Sequence, residues 1–283
     1  MSAPLGIVGA GVMGTGIAQT AARAGRTVLI FDIDPARVTL ATTEIRRRVD
    51  RLVEKGEISL ADAETTLERV QPVYQMGRLG SCPVIIEAAT EALELKRSIV
   101  AQLESVCAPD AILGTNTSSL SISEIAEGTL HPERVIGIHF FNPAPVMRLV
   151  EIVPGDRTSA STTAAVRELA FELGKEPVVA VDRAGFIVSR VLDVMVNEAI
   201  RAVMDGNTPE DVDTAMRLGA NLPIGPLALA DLMGLDVLQS VLRRLANGLG
   251  SEAYAPAPLL DELVSEGRLG RKTGRGFYEY PRP

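Results

Sequence analysis

Tryptophan is absent from this chain, aromatic residues make up 4 %, and there are only two cysteines and two histidines. Cys82 and Cys107 fit neither a disulfide framework nor a zinc spacing, so both thiols are expected in or near the core and no metal centre is expected. No stretch is long and apolar enough to span a membrane. No basic block dominates either. The formal net charge is −8 and most Lys and Arg are interspersed with Asp and Glu, which argues against nucleic acid as a partner. The amino terminus lacks a basic stretch, and its apolar residues run straight into a glycine turn. It is expected to be a first strand and not a secretion signal, and the protein is expected in the cytoplasm. There is no internal repeat and no low-complexity linker.

What is present is ordinary globular composition: 283 residues, 46 % hydrophobic and 23 % charged, enough for one large domain or two modest ones. Leu5 to Val8 is a short apolar run ending at Gly9. Thr15 to Arg23 reads as a helix stopped by Gly25, and Val28 to Phe31 as a second buried strand closed by Asp32. Strand, glycine turn, helix, strand and acid together form a parallel βαβ unit. Asp34 and Pro35 then open a charged helical hairpin over about residues 36–67. Further strands are expected at Val70–Tyr74, Val84–Glu87, Ile112–Thr115, Val135–His139, Val150–Val153 and Val178–Val181. A helix is expected at 92–106, and a capping pattern at Ser121–Glu124 marks a short one. After Asp182 the texture turns helical, with a stripe over 186–204, a cap at Thr208–Asp211, and helices over 226–247 and 258–266. The expected architecture is α/β: a Rossmann-type dinucleotide-binding domain over residues 1–184 with the inserted hairpin, then a smaller all-α domain over 185–283.

The turn Gly9, Ala10, Gly11, Val12, Met13, Gly14 is a weak signal by pattern alone, but its context is complete. Gly9 permits the tight turn, Gly11 allows a pyrophosphate to approach the backbone, and Gly14 permits close helix packing. The helix start then offers N–H groups and its positive dipole end to phosphates. Asp32 is placed to accept ribose hydroxyls and to repel a 2′-phosphate, which favours NAD over NADP, although Arg37 lies nearby.

Oxidising an alcohol requires a group that takes a proton near neutral pH, for which histidine is suited. His131 precedes Pro132 in a polar connection and reads as an exposed loop residue. His139 ends an apolar strand, on the side where open α/β sheets bind ligands. A core histidine with a satisfied ring is the competing reading. Glu151, on a later strand, is a carboxylate suited to orient an imidazole; the other reading is a surface glutamate.

Several separate motifs resemble the L-3-hydroxyacyl-CoA dehydrogenase family, especially its short bacterial 3-hydroxybutyryl-CoA dehydrogenases. They are the 9–14 turn, Asn116 to Leu120 (NTSSL), His139 to Pro143 (HFFNP), Leu149 to Glu151, Gly185 to Val188 (GFIV), Leu218 to Asn221 and Gly270 to Tyr278. The resemblance spans nearly the whole chain. It implies NAD-dependent oxidation of a (3S)-3-hydroxyacyl-CoA to the 3-oxo thioester, or the reverse, and a place in fatty acid metabolism. It makes His139 the general base, Glu151 its partner, and Ser118 a contact of both cofactor and substrate. Asn142 falls in the same motif, and Glu91, Lys96 and Lys272 match cofactor contacts. Arg48 and Lys55 match positions that hold coenzyme A, in keeping with the basic stretch Arg46, Arg47, Arg48, Arg51, Lys55 in an acidic chain. A solvated helix face with i,i+4 pairs is the plainer reading of that stretch. Ser189 stands where the family carries an asparagine that helps hold the substrate oxygen; a hydroxyl is shorter and has no amide. The same chemistry on a carrier-bound or free hydroxy acid therefore stays open, as does a non-catalytic NAD-binding role. The apolar helices after residue 185 are expected to make a homodimer.

Overall fold

The computed structural model describes residues 3–281, which divide into two compact units at Asp182/Arg183. In the first unit the chain runs β1 (Leu5–Val8), α1 (Val12–Arg23), β2 (Val28–Phe31), α2 (Pro35–Glu54), α3 (Leu60–Glu68), β3 (Val70–Val73), β4 (Val84–Glu87) and α4 (Leu93–Val106). It continues through β5 (Ile112–Thr115), α5 (Ile122–Ile125), β6 (Val135–Phe140), β7 (Leu149–Pro154), α6 (Ala160–Glu172) and β8 (Glu176–Val179). The strands form one sheet in the order β3-β2-β1-β4-β5-β6-β7-β8. The strand order reverses between β1 and β4, and such a reversal opens a crevice at the carboxyl ends of the strands.

Central strands are buried on both faces and accordingly read as continuous apolar runs. Ile7, Ile30, Ile86, Ile136 and Ile152 have essentially no exposure, and each contributes about 1.5–3 kcal/mol of burial. All pairings are parallel except β6 with β7, which is antiparallel. The last strand begins at Glu176, two residues before the apolar run that marks it in sequence, and ends before Val181. It is the sheet edge, with Val178 42 % and Val179 46 % exposed, so hydrophobicity there does not track burial.

Helix α1 begins at Val12, inside the glycine turn, with Gly11 as its cap. The hairpin is punctuated as its residues dictate. Asp34 accepts the Ala36 N–H at the start of α2, and Ser59 and Asp62 form a reciprocal capping box on α3.

The second unit holds α7 (Val188–Met204), α8 (Pro209–Gly219), α9 (Pro226–Met233), α10 (Leu235–Leu249) and α11 (Pro258–Ser265). The segment 226–247, one helix by its pattern, is two helices here. Gly234, with φ of 101°, breaks it in a conformation that L side chains rarely adopt. Val196, Ile200, Leu227, Leu238, Leu242, Leu245 and Leu260 form the core. Two buried carboxylates tie the chain end to it. Asp213 accepts from the Leu227 and Ala228 N–H groups and the Tyr278 hydroxyl. Asp231 accepts from the Phe277 and Tyr278 N–H groups and the Tyr280 hydroxyl.

Candidate active site

The turn after β1 is built from glycines used in different ways. Gly9 has φ of 99°, and a Cβ on it would lie 2.7 Å from the Ala88 carbonyl oxygen, at the exit of β4. A Cβ on Gly14 would lie 1.8 Å from the Gly9 oxygen. Gly11 is the contrast, because a Cβ there would meet nothing within 4 Å. Its openness serves no packing need and leaves the backbone surface clear. No side chain caps the start of α1, so its first N–H groups have no intrahelical acceptor and suit an anion. Asp32 is ordered from behind by Ala10 N–H (2.8 Å to Oδ2) and Asp34 N–H (3.0 Å to Oδ1). Each oxygen retains a second lone pair for a ribose hydroxyl. Val12 is 64 % exposed at the mouth of the turn, and Met13 packs on the core. These residues fit a dinucleotide.

His139 and Glu151 are direct cross-strand partners on β6 and β7. The His139 Nδ1 to Glu151 Oε2 distance is 2.8 Å, with His139 6 % exposed and Glu151 fully buried. A carboxylate accepts and cannot donate, so Nδ1 carries the proton and Nε2 is the basic nitrogen. The Phe141 ring lies 4.4 Å from the imidazole, tilted by 49°. His131 is elsewhere, half-exposed, with its ring against Glu133.

The loop after β5 brings Ser118 to the same side of the sheet. Asn116 ties the strand ends together, its Oδ1 accepting the Phe140 N–H at 2.9 Å. Glu91 accepts from Thr117, Ser118 and Ser119. Lys96 is entirely buried on α4, with Nζ 2.9 Å from each oxygen of Glu87 and 3.6 Å from Glu91. Thr115 and the Ala89 N–H complete the shell of Glu87. Glu87 escapes motif reading because it closes a buried strand and its cation arrives nine positions later on a helix. Asn142 is exposed, in a cis bond with Pro143. Its loop is held by the buried Lys175, whose Nζ donates to the Ala144 and Met147 carbonyls at 2.6 and 2.8 Å. Burial pushes the Lys175 ammonium down in pKa, with the charge of Arg23 adding to the effect.

On the hairpin, Glu44 accepts from Arg47 and from Arg48, and those cations hold its carboxyl down at about 2. Arg48 is bound through Nε and is 30 % exposed; Lys55 is 60 % exposed, 3.8 Å from Glu57. In the second unit Ser189 lies half-buried in the first turn of α7, and Lys272 pairs with Asp236. One turn beyond Ser189, Asp193 is 2 % exposed, and burial alone pushes its carboxyl up to about 7. Cys82 is a core thiol, buried and raised by desolvation to about 11, whereas Cys107 is half-buried and raised by the same cause. Among the described residues there is no cluster that would hold a metal ion and no helix long and apolar enough to cross a membrane.

The family model "3-hydroxyacyl-CoA dehydrogenase, NAD binding domain" matches residues 4–183, and "3-hydroxyacyl-CoA dehydrogenase, C-terminal domain" matches 185–280. The chain is 43 % identical to a probable 3-hydroxybutyryl-CoA dehydrogenase of Bacillus subtilis, over 97 % of this chain and 96 % of that one. It is 44 % identical to a 3-hydroxyadipyl-CoA dehydrogenase of Escherichia coli, over 97 % of this chain but 58 % of that longer one. The crystal structure of (S)-3-hydroxybutyryl-CoA dehydrogenase from Ralstonia eutropha superposes with a TM-score of 0.96 at 43 % identity, covering 99 % of this chain and 100 % of that one.

Proposed function

The chain belongs to the 3-hydroxyacyl-CoA dehydrogenase family, and from that premise we propose that it interconverts a short (3S)-3-hydroxyacyl-CoA and its 3-oxo thioester. The observation that carries the reading is the buried dyad, His139 Nδ1 at 2.8 Å from Glu151 Oε2 at the carboxyl end of β6. NAD, when bound, supplies the hydride acceptor, or in its reduced form the donor. His139 Nε2 takes the proton of the 3-hydroxyl during oxidation and returns it during reduction. Glu151 fixes the tautomer and stabilises the imidazolium, and its burial keeps that attraction from being screened by water. Gly9 to Gly14 and Asp32 seat the dinucleotide, with Glu91, Lys96 and Lys272 as further contacts of it or of the groups that hold it. Arg48 and Lys55 take phosphates of coenzyme A, which suits their exposed cationic heads. Ser118 and Asn142 order the reacting end, and Ser189 is assigned to it by the family's asparagine position alone.

Short acyl chains agree with the names of the B. subtilis and R. eutropha relatives, whereas the E. coli relative is named for a dicarboxylic acyl group. Val191, Leu218, Leu232 and Val237 are exposed apolar residues of the helical unit and support a homodimer through it. A cytoplasmic setting agrees with two free thiols. The deciding assay is NADH oxidation over 3-oxoacyl-CoA thioesters of increasing length, with carrier-bound and free acids as controls. Best turnover on the four-carbon thioester supports the reading. Best turnover on a free or carrier-bound acid transfers the chemistry to another substrate class, and NADH binding with no turnover on any of them refutes it. A monomeric mass in solution would remove the dimer.

A further inference from the structure

The hydrogen bonds around Glu91 have a direction. Its Oε1 receives the Thr117 hydroxyl at 2.6 Å, the Ser118 N–H at 3.0 Å, the Ser118 hydroxyl at 3.3 Å and the Ser119 hydroxyl at 3.3 Å. A carboxylate oxygen has lone pairs and no proton to give, so in the 3.3 Å contact between the two side chains Ser118 is the donor. A serine hydroxyl has one proton. Once that proton is turned toward Glu91, the oxygen presents only lone pairs to anything else.

Glu91 is itself braced. Lys96 is buried with no exposure, is bound by Glu87 through both oxygens at 2.9 Å, and leans on Glu91 at 3.6 Å. Burying this pair costs several kcal/mol per ion unless the geometry compensates, and Glu87 has the further donors that do so, Thr115 and the Ala89 N–H, both at 2.6 Å. The loop bearing Glu91 leaves β4 at Ala88, the residue whose carbonyl packs under Gly9. Ser118 and the glycine turn therefore face the same crevice of the sheet.

We propose that Glu91 is a positioning residue that acts through Ser118, fixing it as a hydrogen-bond acceptor toward a donor on the nicotinamide half of the dinucleotide. This rests on the reading of Ser118 as a site residue given above. The substrate's 3-hydroxyl has one proton, which goes to His139, so it has none left for Ser118. A nicotinamide amide N–H or a ribose hydroxyl is the group that matches an acceptor. Lys96 keeps its closer partner Glu87 if Glu91 loses its charge, so an amide oxygen at position 91 serves nearly as well as the carboxylate.

The test is a double-mutant cycle read by NADH fluorescence titration as well as by turnover. Glu91→Ala is expected to weaken NADH binding about fivefold in the parent, the worth of one net hydrogen bond, and less than about twofold in a Ser118→Ala background. Glu91→Gln is expected to recover most of the loss. Melting curves check folding, and Glu91→Met, which fills the space without an acceptor, carries the same comparison if the alanine variant does not fold. With 3-acetylpyridine adenine dinucleotide, which lacks the amide N–H, loss of the Ser118→Ala effect identifies the amide as the donor, and a retained effect identifies the ribose hydroxyl. Equal losses in both backgrounds, or Gln as impaired as Ala, would overturn the inference while leaving Ser118 in the site. Parental NADH affinity and turnover in Ser118→Ala would overturn it together with the reading of Ser118.

Discussion

Replacing Asp193 by asparagine should stabilise the protein, and by an amount that depends on pH. Asp193 lies on the inner face of α7 among Val196 and Ile200, 2 % exposed. Burial alone raises its carboxyl from 3.8 to about 7. The unfolded chain therefore releases this proton near the lower value and the folded chain near the higher one. Between them the folded state holds the extra proton, so stability falls as pH rises, and above the folded pKa the penalty is constant. From about pH 5 to about pH 8 the loss integrates to about 2.5 kcal/mol. Asparagine has nearly the same shape and does not ionise. Urea unfolding followed by far-UV circular dichroism, on parent and Asp193→Asn across that range, measures the difference. The gap between the two should widen toward alkaline pH by about 2.5 kcal/mol, with the variant the more stable. A gap that stays constant with pH would refute the reasoning, because the buried carboxyl would then titrate as it does in the unfolded chain.

Other consequences follow from the site itself. His139→Gln should lower kcat by about 10²–10⁴-fold while NADH binding, by fluorescence, stays within about twofold; near-parental turnover in the folded variant would exclude His139 as the base. The glycines should separate by mechanism. Gly11→Ala, with open space around its Cβ, should keep the parental melting temperature yet bind NADH about tenfold or more weakly. Gly14→Ala, with its Cβ 1.8 Å from the Gly9 oxygen, should lose melting temperature and NADH affinity together. Arg48→Ala should raise KM for a CoA thioester about tenfold at low salt and leave a pantetheine thioester unchanged; equal effects on both would remove coenzyme A phosphates from the hairpin.

Local chemistry was readable where a residue type has a local job. The glycine turn, Asp32, Asp34 as a cap, and the Ser121 cap all follow from near neighbours in sequence. The scarcity of histidine made His139 conspicuous, and the end of an apolar run placed it at a strand terminus. Its partnership with Glu151 came from the family resemblance and not from the residues themselves, because the contact depends on β7 turning antiparallel beside β6. Glu87 looked like one more strand-end acid, since nothing in its surroundings announces a lysine buried against it from α4. The long pattern over 226–247 hid a break because Gly234 fits an apolar stripe as easily as it fits a turn. Asp193, Asp213 and Asp231 sit within helices that read as ordinary amphipathic ones, and only packing reveals that their charges point inward.

The antiparallel pairing of β6 and β7 has a consequence for quality control during folding. His139 faces Glu151 in the register that also sets Ile138 beside Ile152 and Phe140 beside Val150. Side chains alternate between the faces of a sheet, so a slip of one residue would turn every side chain of one strand to the opposite face. Both faces of β6 are buried, so a misregistered chain would keep its apolar residues covered and still part His139 from Glu151. The dyad is therefore a sharper gauge of this register than hydrophobic burial is, and activity reports the zipping of the two strands. Insertions between Phe140 and Leu149 are free to vary in length only where the ladder on either side keeps its phase.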